Sequence, residues 1–162
     1  MIEKVTYLGN TSLEVLYYTG NNRKELYSIH FKSVTFKNIN FKEIFLTSLT
    51  FDHCIFENCT FENCTSLFAT FSMCTFKNCK IDNLNFSVNN FWCTSIEETT
   101  INQIHFNDSI FRYGWIENSQ ARYLYFENSI CEHNDIEESL FVDIQSHTSY
   151  FINTTQYITY NN

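Results

Sequence analysis

Residues 51–65 read FDHCIFENCTFENCT, with Phe51, Phe56 and Phe61 five apart. A helix repeats its faces every 3.6 residues and a strand every 2, so neither alone carries this spacing. Stepping by five from Phe31 to Phe151 meets 25 residues: 15 Phe, five Ile (Ile81, Ile96, Ile101, Ile116, Ile136), and Leu46, Ser66, Ala121, Cys131 and Ser146. Of the 17 phenylalanines in the chain, 15 fall in this register, against about a fifth by chance. No insertion interrupts it.

A second register lies two residues before the first. It runs Val34, Ile39, Ile44, Leu49, Cys54, Cys59, Cys64, Ala69, Cys74, Cys79 and Leu84, then mostly small residues such as Thr94, Thr99, Ser109, Ser119 and Ser129. The other three positions of each unit are largely Asn, Glu, Lys, Thr or Ser. Two inward residues at i and i+2 describe a short extended segment with one buried face. Repeating that every five residues demands a bend after each segment, so the chain coils and stacks its large side chains along the axis. Such a chain is a solenoid, in which each unit touches mainly its neighbours.

CTFEN, CTFKN and SIFRY within this register resemble pentapeptide repeats, whose pattern is small, polar, Leu or Phe, polar, polar. The resemblance covers residues 29–155 and implies an all-β fold, a right-handed four-sided parallel β-helix with four units per coil and about six coils. At ~4.8 Å per coil the rod is roughly 30 Å long. Residues 1–28 lie outside the register. Val5–Leu8 and Leu13–Tyr18 read as extended, with Gly9–Asn10 and Gly20–Asn22 as turns. A solenoid end exposes strand edges and apolar rings, so this segment is expected to be an N-terminal cap. The other end, 156–162, reads QYITYNN. It is either a short cap or a dimerisation surface that would give a homodimer through the C-terminal end.

Glycine occurs three times and proline never, so few turns rely on glycine at positive φ. No apolar run approaches the ~20 residues of a membrane span, and MIEKVTYLGN lacks the apolar stretch of a signal peptide. Five of the seven cysteines sit in the small inward register. With the coil the resemblance implies, Cys54 stacks on Cys74 and Cys59 on Cys79. Buried cysteine behaves as a small hydrophobe, so these are expected to be reduced core residues in a cytoplasmic protein. Three cysteines five apart lie on different sides, which suits zinc poorly. The histidines (His30, His53, His105, His133, His147) show no ligand or catalytic spacing and are expected outward. With phenylalanine filling the interior, a deep pocket has no room. No enzyme, metal or cofactor is expected.

The charges divide unevenly along a chain of net charge −8. Residues 1–50 carry six basic and four acidic groups, whereas residues 81–150 carry 11 acidic and two basic, Arg112 and Arg122. On the four-sided coil, one side holds the column Lys37, Glu57, Lys77, Glu97, Glu117, Glu137. The first four alternate in sign, which stabilises neighbours; the last three repel. Glu98, Asp135 and Glu138 stand beside them, giving an acidic patch of Glu97, Glu98, Glu117, Asp135, Glu137 and Glu138 with no cation expected in it. One reading is a solvated face that aids solubility; the other is a surface for a protein partner with a basic groove. Some pentapeptide-repeat proteins are acidic DNA mimics that bind type II topoisomerases or other DNA-handling enzymes. The resemblance thus implies a non-enzymatic inhibitor-type binding protein that contacts neither nucleic acid nor membrane itself. FKSVTFKN and CTFENCTS are also similar to stretches of the luminal domain of synaptic vesicle glycoprotein 2, to which a neurotoxin binds. That similarity implies an alternative, a receptor-like or effector module that pairs through a strand edge.

Overall fold

A computed structural model describes residues 2–3, 6–8, 18–19, 23–137, 139–152 and 155–156. The described residues contain strands, turns and bends and no helix, so none is long and apolar enough to cross a membrane. From Lys24 onward the strands form parallel ladders whose partners are 20 residues apart, which is four five-residue units. The first side stacks Phe31, Phe51, Phe71, Phe91, Phe111, Cys131 and Phe151. The second stacks Phe36, Phe56, Phe76, Ile96, Ile116 and Ile136. Phe41, Phe61, Ile81, Ile101, Ala121 and Phe141 follow on the third. Leu46, Ser66, Phe86, Phe106, Phe126 and Ser146 close the coil on the fourth. The fold is a four-sided parallel β-helix of about six coils, as the resemblance implies.

Each corner is made by one residue in the left-handed region. Every fifth residue described from Ser28 to Thr148 has φ between 48° and 56°, 24 positions in all, and none is glycine. Asn holds seven of them, Asp two and His two; these types tolerate this conformation best among residues with a side chain. The scarcity of glycine is therefore no obstacle to turning, because the bend recurs at a position rich in Asn. Val88 is the costly exception. It is β-branched, sits at φ 56° and is 43% exposed, so packing does not compensate. Val88→Asn is expected to stabilise the protein by about 1 kcal/mol, read as a rise in the urea unfolding midpoint. An unchanged midpoint would mean that the backbone at this corner carries no such cost.

The rings stack along each side. Phe56 lies 4.9 Å from Phe36 and 4.6 Å from Phe76, nearly parallel to both, and meets Phe51 and Phe61 of neighbouring sides edge-on. Offset stacks and edge-to-face contacts are the arrangements the ring quadrupole favours. Further along, Ile116, Cys131 and Ile136 replace phenylalanine, and an apolar cavity of about 70 Å³ opens among them and Phe111, Phe126 and Phe151.

The small register has a second task. Several small-register N–H groups add bonds from one coil to the next. In the C-terminal half a side chain one coil later accepts each: Cys79 N–H donates to Thr99 Oγ1 (3.2 Å), Thr99 N–H to Ser119 Oγ (3.1 Å) and Ser109 N–H to Ser129 Oγ (3.2 Å). The same hydroxyls donate to carbonyls; Ser129 Oγ–H reaches Glu127 O at 2.9 Å. Cysteine thiols in the other half donate likewise, Cys59 Sγ to Phe36 O at 3.3 Å. All seven cysteines are free thiols. The stacked Cys54 thiol, together with burial, pushes Cys74 far above the ordinary thiol range, and Cys59 acts alike on Cys79. Burial pushes Cys131 up to about 12.

At the N-terminal end, Ile2–Glu3 pairs with Phe31–Lys32 and Thr6–Leu8 with Thr35–Lys37, both parallel. Tyr18–Thr19 runs antiparallel to Arg23–Lys24. Leu26, within the segment read as outside the register, is buried and pairs with Leu46. The register therefore begins one unit earlier than Phe31, because Leu26 supplies the large apolar residue that a search for phenylalanine passes over. The expected turns at Gly9–Asn10 and Gly20–Asn22, and residues 13–17, lie outside the described residues, as does 157–162.

Candidate functional site

Charge on the outer surface is organised by the same 20-residue offset. In three consecutive units a lysine pairs with the acid one coil later: Lys32–Asp52 (4.0 Å), Lys37–Glu57 (2.8 Å) and Lys42–Glu62 (3.0 Å). On the second side Lys77 continues the alternation, with its Nζ 3.5 Å from Glu97. Below it the pattern changes. Glu97, Glu117 and Glu137 are successive ladder partners, three carboxylates stacked without a cation between them. Asp135 lies on the adjacent outward position as the partner of Trp115. Glu98 holds the corner at φ 50°, where the coils on either side have Asn78 and Asn118.

The structure brings Glu98, Glu117, Asp135 and Glu137 onto the second side and its corner. Glu138 lies outside the described residues. Glu97 departs from the expected cation-free patch: its ion pair with Lys77 makes it the last member of the alternating series. Its Oε1 also accepts from Ser95 Oγ at 3.3 Å. Glu117 accepts from Asn118 Nδ2 at 3.2 Å. Glu98, Glu117, Asp135 and Glu137 have no ion pair among the described residues. The first side differs, for there Arg112 binds Glu132 at 2.7 Å.

Like charges on directly opposed ladder positions destabilise, and opposite ones stabilise by ~0.2–1 kcal/mol. Glu117→Lys restores alternation down the column from Lys37 to Glu137. It is expected to raise stability by about 0.5 kcal/mol at low salt, with the gain shrinking as salt rises, since partly exposed pairs are screened. Thermal unfolding at two salt concentrations measures it. A loss of stability would show that the stacked carboxylates do not repel appreciably.

Histidines face outward except His30, which is half-buried. His53 Nδ1 lies 2.7 Å from Asp52, and His133 Nε2 lies 3.7 Å from Glu132. No group of three or more His, Cys, Asp or Glu among the described residues is arranged to hold a metal ion. One feature of the surface went unread in the sequence. Trp92, Tyr113 and Trp115 occupy outward positions around the corner between the first and second sides, and all three are exposed. In the sequence both tryptophans stand at positions that are polar in most other units.

No protein-family model matches the chain, and no curated protein does. Among solved structures, the pentapeptide repeat protein Rfr23 from the cyanobacterium Cyanothece aligns at TM-score 0.43 and 9% identity, covering 78% of this chain and 90% of that one. A trypsin-treated form of QnrB1, a plasmid-mediated fluoroquinolone resistance protein, aligns at TM-score 0.36 and 15% identity over 94% of this chain and 70% of that one. HetL from the cyanobacterium Nostoc, a pentapeptide repeat protein involved in heterocyst differentiation regulation, gives 0.34 and 8% over 94% and 84%. These numbers carry no functional argument. What distinguishes the molecule is its own construction: a five-residue register held from Leu26 to Phe151, a 20-residue coil on every ladder within that span, and a left-handed residue at each described corner. By that construction the chain folds as a four-sided parallel β-helix of five-residue repeats.

Proposed function

We propose that this β-helix is a non-enzymatic binding protein whose second side occupies the basic, DNA-binding groove of a DNA-handling enzyme, of topoisomerase, gyrase or defence-nuclease type. The observation that carries the reading is the in-register stack of Glu97, Glu117 and Glu137, where the rest of the column alternates in sign. A rigid ladder presents these carboxylates at ~4.8 Å intervals, and duplex DNA presents one charge per ~1.7 Å. With Glu98 and Asp135 beside them, and Glu138 next in sequence to Glu137, the acids form a dense linear field that steers a basic groove to the surface and loses strength in salt. The segment before the register at Leu26 serves as the N-terminal cap of the helical unit, and 156–162 as its tail or its homodimer contact. The protein works in the cytoplasm, where its buried thiols stay reduced.

The test is capture from bacterial lysate with and without excess duplex DNA. The expected result is a DNA-handling enzyme that DNA releases and that Glu97→Lys/Glu117→Lys/Glu137→Lys fails to hold. Capture indifferent to DNA and to those charges overturns the reading. A strand-edge mode is the second reading, favoured by the exposed side chains of Tyr150, Phe151 and Ile152 on the last strand of the first side. It predicts binding that tolerates salt and survives neutralisation of the glutamates.

A further inference from the structure

The corner between the first and second sides is built from Met73, Cys93, Tyr113 and His133, one per coil, each at positive φ. Trp92 precedes this corner on the first side, and Trp115 follows it on the second. The side chains of Met73, Trp92, Tyr113 and Trp115 are 48%, 39%, 49% and 46% exposed. Trp92 meets Tyr113 edge to face at 4.9 Å, and Tyr113 stacks on His133 at 5.3 Å. Trp115 has no ring partner among the described residues. It stands between Ser95 and Asp135 in the ladder, with Glu117 two residues further along the same strand.

Exposed aromatic area of this kind, contiguous and ordered, marks an interaction surface. The charges around it define what the surface takes. Lys77 is engaged by Glu97 and Arg112 by Glu132, at 3.5 Å and 2.7 Å. Asp135, Glu117 and Glu137 have no ion pair among the described residues. An anion such as phosphate is therefore repelled, and at Trp115 a cation finds both a ring face and a carboxylate within one coil; Trp92 has Arg112, itself held by Glu132, as its ladder partner.

We propose that this corner is a docking strip for an arginine-rich segment of a protein partner, with guanidinium groups lying on Trp92 and Trp115 and pairing with Asp135 and Glu117. Arginine suits it better than lysine because its planar, weakly hydrated head stacks on a ring while its fork bonds a carboxylate; the compact ammonium of lysine does this less well. The inference rests on the reading of the second side as a face for a cationic partner, and adds which side chains of that partner it selects.

The experiment titrates the whole protein with dye-labelled octa-arginine and octa-lysine peptides, followed by fluorescence anisotropy and by intrinsic emission. The chain has two tryptophans, and both lie at this corner, so emission reports on it directly. The wild type is expected to bind octa-arginine about tenfold more tightly than octa-lysine, with a change in tryptophan emission on binding. Trp92→Gln/Trp115→Gln is expected to bind both peptides equally, at the lysine level. Trp92→Phe/Trp115→Phe, which keeps a ring, retains part of the preference. Glu117→Gln/Asp135→Asn/Glu137→Gln loses affinity for both. Unfolding midpoints of the tryptophan variants confirm that the fold is kept. Equal binding of the two peptides by the wild type overturns the inference and leaves the acidic-face reading standing. So does an arginine preference that survives Trp92→Gln/Trp115→Gln. Absence of binding by either peptide overturns both.

Discussion

Replacing Phe56 by alanine is expected to cost about 4 kcal/mol. Phe56 is fully buried, stacked between Phe36 and Phe76 at 4.9 and 4.6 Å. It is also braced by Phe51 and Phe61 at 5.3 and 5.6 Å. A backbone tied to the coils above and below leaves little scope for collapse into the space, so the cavity remains and adds to the lost transfer energy. Urea denaturation followed by far-ultraviolet circular dichroism measures the loss. The same truncation at Ile136, which borders an existing cavity and is 9% exposed, is expected to cost roughly half as much. Equal costs at the two sites would mean that packing is uniform along the rod. Because each coil touches mainly its neighbours, a loss at Phe56 also weakens coupling between the two ends, and a second, separate transition is the expected sign of it.

The second large effect concerns Asn89, a polar residue buried on the coil axis. Its Oδ1 accepts from Ala69 N–H at 2.8 Å and from Ser66 Oγ at 3.0 Å, while its Nδ2 donates to Ser66 O at 2.9 Å. Asn89→Ala leaves the Ala69 N–H and the Ser66 hydroxyl buried without the acceptor they share, removes the donor to Ser66 O, and is expected to cost about 3 kcal/mol. The arrangement explains Ser66, the serine in the large-residue register. A phenylalanine there would occupy the volume into which the Asn89 amide reaches. Ser66→Phe/Asn89→Cys, which restores the ordinary unit at both places, is therefore expected to be more stable than the sum of the single changes by at least about 1 kcal/mol. Additive effects in that double-mutant cycle would show that the two positions are not coupled. Asn134 repeats the device further along. Its Oδ1 accepts from Gly114 N–H at 2.8 Å, and a Cβ on Gly114 would come within 2.9 Å of that oxygen.

These two sites mark where the reading of residues works and where it stops. The column of Phe36, Phe56 and Phe76 was legible because burial of one large side chain per unit leaves a strict period in the chain. The network of Ser66 and Asn89 was not. Its members are 23 residues apart, and nothing local says that one fills the space another vacates. The corner residues stand between the two cases. Their polarity was visible, but their left-handed backbone follows from closing four short strands into a coil, a constraint no single unit contains. The acidic column behaved likewise. Its membership followed from the offset of 20, yet the ion pair between Lys77 and Glu97 is a matter of side-chain reach across coils. It moves the start of the unpaired series to Glu117.

The sequence by itself determined the solenoid, its two inward registers and the uneven distribution of charge, because a repeat that must bury one face in every unit cannot hide its period. Only the tertiary structure decided which outward side chains are neighbours. A coil brings residues 20 apart into contact and turns those five apart onto different sides. The stacked carboxylates, the paired lysines and the aromatic corner therefore exist as surfaces only once the chain is wound.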